Sequence, residues 1–127
     1  MKIVKRNEFL KLPTPFMYIK CDKFGNTEGE LSINCENING IDWVVNSCTF
    51  EPNFDDSGER YDILNGMTKD SSINIPVIDM NTSRDGLYDE DQLFIVYTKE
   101  DFQLFVKTMV KYLHVYGTNK NIKYECN

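Results

Sequence analysis

One stretch constrains this chain more than any other: a β-prone apolar run passes without a linker into a capped amphipathic helix. Residues 92–97 are almost continuously apolar, which predicts a central strand covered on both faces. Thr98 is placed to cap the following helix, with Asp101 three residues on as its acidic partner. Phe102, Phe105, Val106, Met109, Val110 and Leu113 then recur at i, i+3, i+4, i+7, i+8 and i+11, one wide apolar stripe. Glu100 and Asp101 stand at the positive end of the helix and Lys107 and Lys111 toward the negative end. Gly117 is a natural stop. A helix with one apolar side needs a surface to lie on, and the strand before it points to a sheet.

The first half of the chain supplies that sheet. Residues 1–5 read as a short strand or lead-in and 6–12 as a short helix, stopped by Pro13 and Pro15. Residues 16–23 alternate, with Phe16, Tyr18 and Lys20 on one side and Met17, Ile19 and Cys21 on the other. A turn at Phe24, Gly25 and Asn26 leads to a second strand at 30–36, with Leu31, Ile33 and Cys35 on one face. Asn39-Gly40 is a strong two-residue hairpin signal, and 41–50 returns as a third strand carrying Trp43 and Val45. Asp56 predicts a helix cap with Glu59 as partner, followed by Ile63, Leu64 and Met67 at helical spacing. Residues 75–80 read as a short edge strand interrupted by Pro76. The predicted class is α+β: a small, mainly antiparallel sheet packed against one long C-terminal helix, with one or two short helices. At 127 residues this is one domain, 1–117, with a polar extension at 118–127.

Charge and cysteine usage exclude several roles. With 14 Lys+Arg against 20 Asp+Glu the net charge is −6, so direct binding to a nucleic-acid backbone is not expected. No apolar run approaches the roughly 18 residues of a membrane span, and no signal peptide is legible, so the cytosol is the expected compartment. Cys21, Cys35, Cys48 and Cys126 show no C-x-x-C spacing and His114 is the only histidine. They are read as free thiols, with no metal and no cofactor.

Four constellations deserve weighing for chemistry. Residues 81–92 resemble a calcium loop with Gly86 at the sixth position, but the twelfth is Gln92 and Arg84 adds a positive charge. Asp85, Asp89, Glu90 and Asp91 could serve acid–base chemistry only with apolar surroundings to separate their pKa values, and the run is polar. His114 falls on the polar side of the long helix with Lys107 and Lys111, which makes no nucleophilic site, and the chain is read as non-enzymatic. Binding is better supported. Residues 51–62 and 79–92 each carry net charge −4, leaving +2 for the rest, and both fall in loops or helix starts. The expected partner-binding residues are Asp85, Tyr88, Asp89, Glu90 and Asp91, with Asp55 and Asp56, set to steer into a basic groove. The alternative is a nucleotide site using Arg60 and Arg84 with Tyr61 and Tyr88, assembled in a homo-oligomer.

Two stretches carry a resemblance. RNEFLKLP at 6–13 resembles the opening of many short phage and prophage accessory proteins, and RDGLYDEDQLFIVY at 84–97 with its capped helix resembles their second half. The resemblance implies a small protein of a bacterial virus. It further implies action against host defence, either by gripping a bacterial defence protein or by sequestering a small signalling nucleotide. The first of these is the expected function, through the acidic surface.

Overall fold

The computed structural model describes residues 1–80, 82–85 and 89–118. In chain order the elements are β1 (Lys2–Lys5), α1 (Arg6–Phe9), β2 (Phe16–Cys21), β3 (Thr27–Ile38), β4 (Asp42–Ser47), α2 (Ser57–Lys69), β5 (Thr82–Arg84), β6 (Leu93–Val96) and α3 (Lys99–Thr118). The six strands form one sheet in the order β1-β6-β2-β3-β4-β5, every neighbour antiparallel. The architecture is α+β, an antiparallel sheet with one long C-terminal helix and two shorter ones.

The β2-β3-β4 meander forms as the sequence predicts. Its second turn has φ of 53° at Asn39 and 70° at Gly40. Two successive left-handed residues make the tight turn whose twist matches a hairpin, and Asn-Gly tolerates them best. β6 takes the central place expected for it, between β1 and β2, with Phe94, Ile95 and Val96 buried. β3 runs longer than the 30–36 expected, because Thr27 and Glu28 still pair with Cys21 and Lys20, and Asn37 and Ile38 with Trp43 and Asp42, without an apolar alternation to mark them. The strand expected at 75–80 does not form. Pro76 offers no N–H to a ladder, and the edge position is taken by β5, three exposed residues paired to β4.

One face of the sheet holds the core. Val4, Tyr18, Trp43, Val45, Phe94 and Val96 are buried there around Phe9, which α1 lowers onto them. The Phe9 ring stacks on Phe94 at 3.9 Å between centroids and meets the edges of Tyr18 at 4.9 Å and Trp43 at 5.0 Å. Two polar residues of β3, Ser32 and Asn34, are buried on the same face. Asn34 Nδ2 donates to Asn37 Oδ1 at 2.7 Å, and Asn37 Nδ2 donates to the Leu12 carbonyl at 3.2 Å. The pair therefore ties the segment after α1 to the sheet and satisfies the buried Asn34 amide N–H, while Asn34 Oδ1 is buried without a hydrogen-bond partner among the described residues. Leu31, Ile33 and Cys35 point to the opposite face and are only half-buried.

Both predicted caps are present. Asp56 Oδ1 accepts the Glu59 N–H at 2.8 Å, while the Glu59 carboxylate reaches the N–H of Asp55 rather than that of Asp56. Thr98 and Asp101 make the full reciprocal box, at 3.1 and 2.9 Å. The packing of α3 differs from expectation. Asp101 is also held by the amino group of Met1 at 2.9 Å, and the Tyr97 N–H donates to the Met17 carbonyl. Asp101, Phe105 and Thr108 are half-buried, whereas every described residue from Met109 to Tyr116 is exposed. Of the apolar stripe, Phe105 is half-buried and Phe102, Val106, Met109, Val110 and Leu113 are exposed. Among the described residues no helix is long and apolar enough to cross a membrane.

Candidate functional site

The sequence-predicted residues divide into three groups. The first gathers at a polar cavity of about 280 Å³ on the core face, between β2, β3, β4 and β5. Its walls include Tyr18, Lys20, Glu30, Ser47, Arg84 and Asp85. The short β5 delivers the last two, and the Asp85 N–H donates to the Trp43 carbonyl at 3.0 Å, which continues the edge one residue further. Lys20 and Arg84 each meet a carboxylate, and Glu30 meets a hydroxyl. Lys20 Nζ meets Asp85 Oδ2 at 3.0 Å, both groups largely sheltered. Arg84 Nε donates to Asp42 Oδ2 at 2.6 Å. The Ser47 hydroxyl donates to Glu30 Oε2.

Two pKa values report the surroundings. Burial pushes the Tyr18 phenol up to about 12, against the lowering effect of the Trp43 indole N–H that donates to its oxygen at 2.9 Å. For Asp42, burial works upward, but the bonds from Arg84 and the Trp43 N–H and the charges of Arg84 and Arg6 outweigh it. They hold the carboxyl below the usual carboxylate range. The Tyr18 phenol thus keeps its proton well past neutral pH, and the Asp42 carboxyl is held in its ionised form by its partners. Lys20, Glu30 and Ser47 were not singled out from the sequence. The signal was present for Lys20, which alternates with Tyr18 on one side of β2.

The second group lies around α2. Arg60 makes a two-pronged pair with Glu51, Nε to Oε1 at 2.7 Å and Nη2 to Oε2 at 3.0 Å. That guanidinium holds the Glu51 carboxyl below its ordinary value. Asp55 and Asp56 are exposed and serve the start of the helix, and Tyr61 is exposed on it. Arg60 and Arg84, offered together as phosphate ligands, thus stand on different elements, each neutralised by a carboxylate of its own.

The third group is the turn before β6. Asp89, Glu90 and Asp91 are all exposed. Asp89 Oδ1 accepts the Asp91 N–H at 3.0 Å and the Asp89 carbonyl accepts the Gln92 N–H at 3.3 Å, which folds the three carboxylates outward. Glu90 shares a shallow hollow with Lys5, Arg6 and Gly40, but none of the three acids is in an ion pair among the described residues. Tyr88, expected in both candidate sites, lies outside the described residues, as do Gly86 of the calcium-like loop and Cys126. Cys21, Cys35 and Cys48 are free thiols, and burial pushes those of Cys21 and Cys48 up. Among the described residues no group of three His, Cys, Asp or Glu side chains could hold a metal ion. No family model, curated protein or solved structure matches the chain.

Proposed function

We propose that this chain is a non-enzymatic, phage-encoded inhibitor that binds a bacterial defence protein through its acidic surface. One observation carries the reading. Among the described residues the exposed carboxylates of Asp89, Glu90 and Asp91 are in no ion pair, whereas Lys20, Arg60 and Arg84 are each committed to a carboxylate of this chain. An unpaired acidic turn retains its field for a basic partner, while a paired arginine has little left for a phosphate. The same observation weighs against the nucleotide sponge, which would have to break the Arg60–Glu51 or Arg84–Asp42 pair before binding. The viral setting rests on the likeness of residues 6–13 and 84–110 to phage accessory proteins.

The test is capture from a lysate of a defence-bearing host, joined to a plaque assay on that host. Wild-type chain should retain a partner, release it as salt screens the contact, and restore phage growth. The triple variant Asp89→Lys, Glu90→Lys, Asp91→Lys should lose both capture and rescue while remaining folded. Unchanged capture by that variant would exclude the acidic turn. In a parallel arm the chain is incubated with cyclic and ADP-ribose-derived nucleotides and then heated. Intact nucleotide released only on heating would favour the sponge instead, and an altered nucleotide would favour an enzyme.

A further inference from the structure

Independently of that reading, we propose that the polar cavity on the core face binds a small neutral polyol of the monosaccharide class. The curl of the sheet makes the space. In the strand order β2-β3-β4-β5, Lys20 stands on the first strand and Asp85 just past the end of the last. Three strand spacings of about 4.8 Å would set their backbones roughly 14 Å apart on a flat sheet. Their side chains nevertheless meet at 3.0 Å, so the ion pair bridges the face of β3 and β4 as part of the cavity wall. Register shifts between Tyr18 and Lys20 and between Asn34 and Glu36 supply the bend. The volume is about 280 Å³, room for roughly nine waters or for one small ring with its hydroxyls.

The lining offers hydrogen bonds and no net charge. Its charged side chains, Lys20, Glu30, Arg84 and Asp85, sum to zero. Each keeps bonding capacity among the described residues. Arg84 spends only Nε on Asp42, Glu30 only Oε2 on Ser47, and Asp85 only Oδ2 on Lys20. Guanidinium and ammonium hydrogens are therefore left over, and so are carboxylate oxygens. The hydroxyls of Tyr18, Ser32, Ser47 and Ser83 stand among them. A ligand hydroxyl donates and accepts at once, so it joins an ion pair from the side without parting it. A phosphate would instead compete with Asp85 and Asp42 for Lys20 and Arg84. A free amino acid would have to part the same pairs to seat its carboxylate. Neighbouring hydroxyls on one ring also suit the two-pronged geometry of a carboxylate or a guanidinium. Val45 is the one purely apolar side chain of the lining, a place for the ring carbons.

The isotope-labelled full chain is titrated by nuclear magnetic resonance with glucose, galactose, ribose and myo-inositol in turn. Its single indole N–H signal belongs to Trp43, which donates to the Tyr18 hydroxyl at the cavity wall. At least one of the four should move that signal to saturation, with a Kd on the order of 1 mM. Glu30 is exposed, so Glu30→Ala leaves the core intact, and it should weaken this binding roughly tenfold. Glu36→Ala, on the same strand but outside the lining, should bind as wild type does. A hexose phosphate and free serine should bind more weakly than the best neutral sugar. No saturable shift with any of the four up to about 50 mM would overturn the proposal. So would tighter binding of the phosphate or of serine, or a folded Glu30→Ala variant that binds as wild type does.

Discussion

Phe9 is carried by a helix of only four residues, yet it is the keystone of the core face, and replacing it tests that assignment. Its side chain is fully buried. It stacks on Phe94 at an interplanar angle of 17° and receives the edges of Phe16, Tyr18 and Trp43 within 5.1 Å. Phe9→Ala removes the ring from among four others that are held by strands or by the indole–phenol hydrogen bond, so the cavity has little means to collapse. Truncations of this kind cost about 3–5 kcal/mol, the upper part of the range applying where neighbours cannot relax. Against a total stability of about 5–15 kcal/mol, most of the margin goes. The assay is urea unfolding followed by fluorescence. Trp43 is the sole tryptophan, is fully buried and touches Phe9, so its emission reports this cluster directly. With a urea slope of about 1–3 kcal/mol per molar, the midpoint should fall by roughly 2 M. Protein concentration is held fixed, because association would make the midpoint depend on it. Phe24→Ala, on a side chain 78% exposed, should change stability by less than about 0.5 kcal/mol. A Phe9→Ala variant within about 1 kcal/mol of wild type, at unchanged slope, would show that α1 is an ornament on the sheet and not its plug.

Two pH dependences follow from the polar region. The Tyr18 phenol is raised to about 12 when folded, so the native chain holds its proton more tightly than the unfolded one. Its contribution is complete below the unfolded value near 10 and should be lost between there and about pH 12. One of the seven tyrosines should accordingly ionise last in an absorbance titration, and Tyr18→Phe should remove that late step. The Asp42 carboxyl is lowered when folded, so its contribution is present above the ordinary carboxylate value and is lost as pH falls through the folded one. Asp42→Asn should therefore flatten the loss of stability measured in acid below about pH 4.

The fold was legible where local chemistry decides the outcome. Asn39-Gly40 could hardly do anything but turn, the Thr98–Asp101 box fixes where α3 begins, and the unbroken apolar run at β6 belongs in the middle of a sheet. The edge strand was misplaced because three exposed residues, Thr82, Ser83 and Arg84, carry no apolar pattern. What fixes them is the partner strand β4, and a partner found across more than thirty residues of chain leaves no local mark. The candidate site was half legible for the same reason. Asp85 and Arg84 stand out as charges, but the partners that neutralise them, Lys20 and Asp42, are distant in sequence.

The exposure of α3 shows that a correct pattern does not by itself place a helix. Periodicity fixes which residues share a side of a helix but not what that side faces. Here the helix is tied down at its first turn, where Asp101 answers to Thr98 and to the amino group of Met1 at once. Beyond Thr108 every described residue up to Tyr116 is exposed, so the second half of the stripe lies on no surface formed by the described residues. Elsewhere the sheet has already closed its core with Phe9 and the aromatic rings around it, so it does not need the helix to hide them.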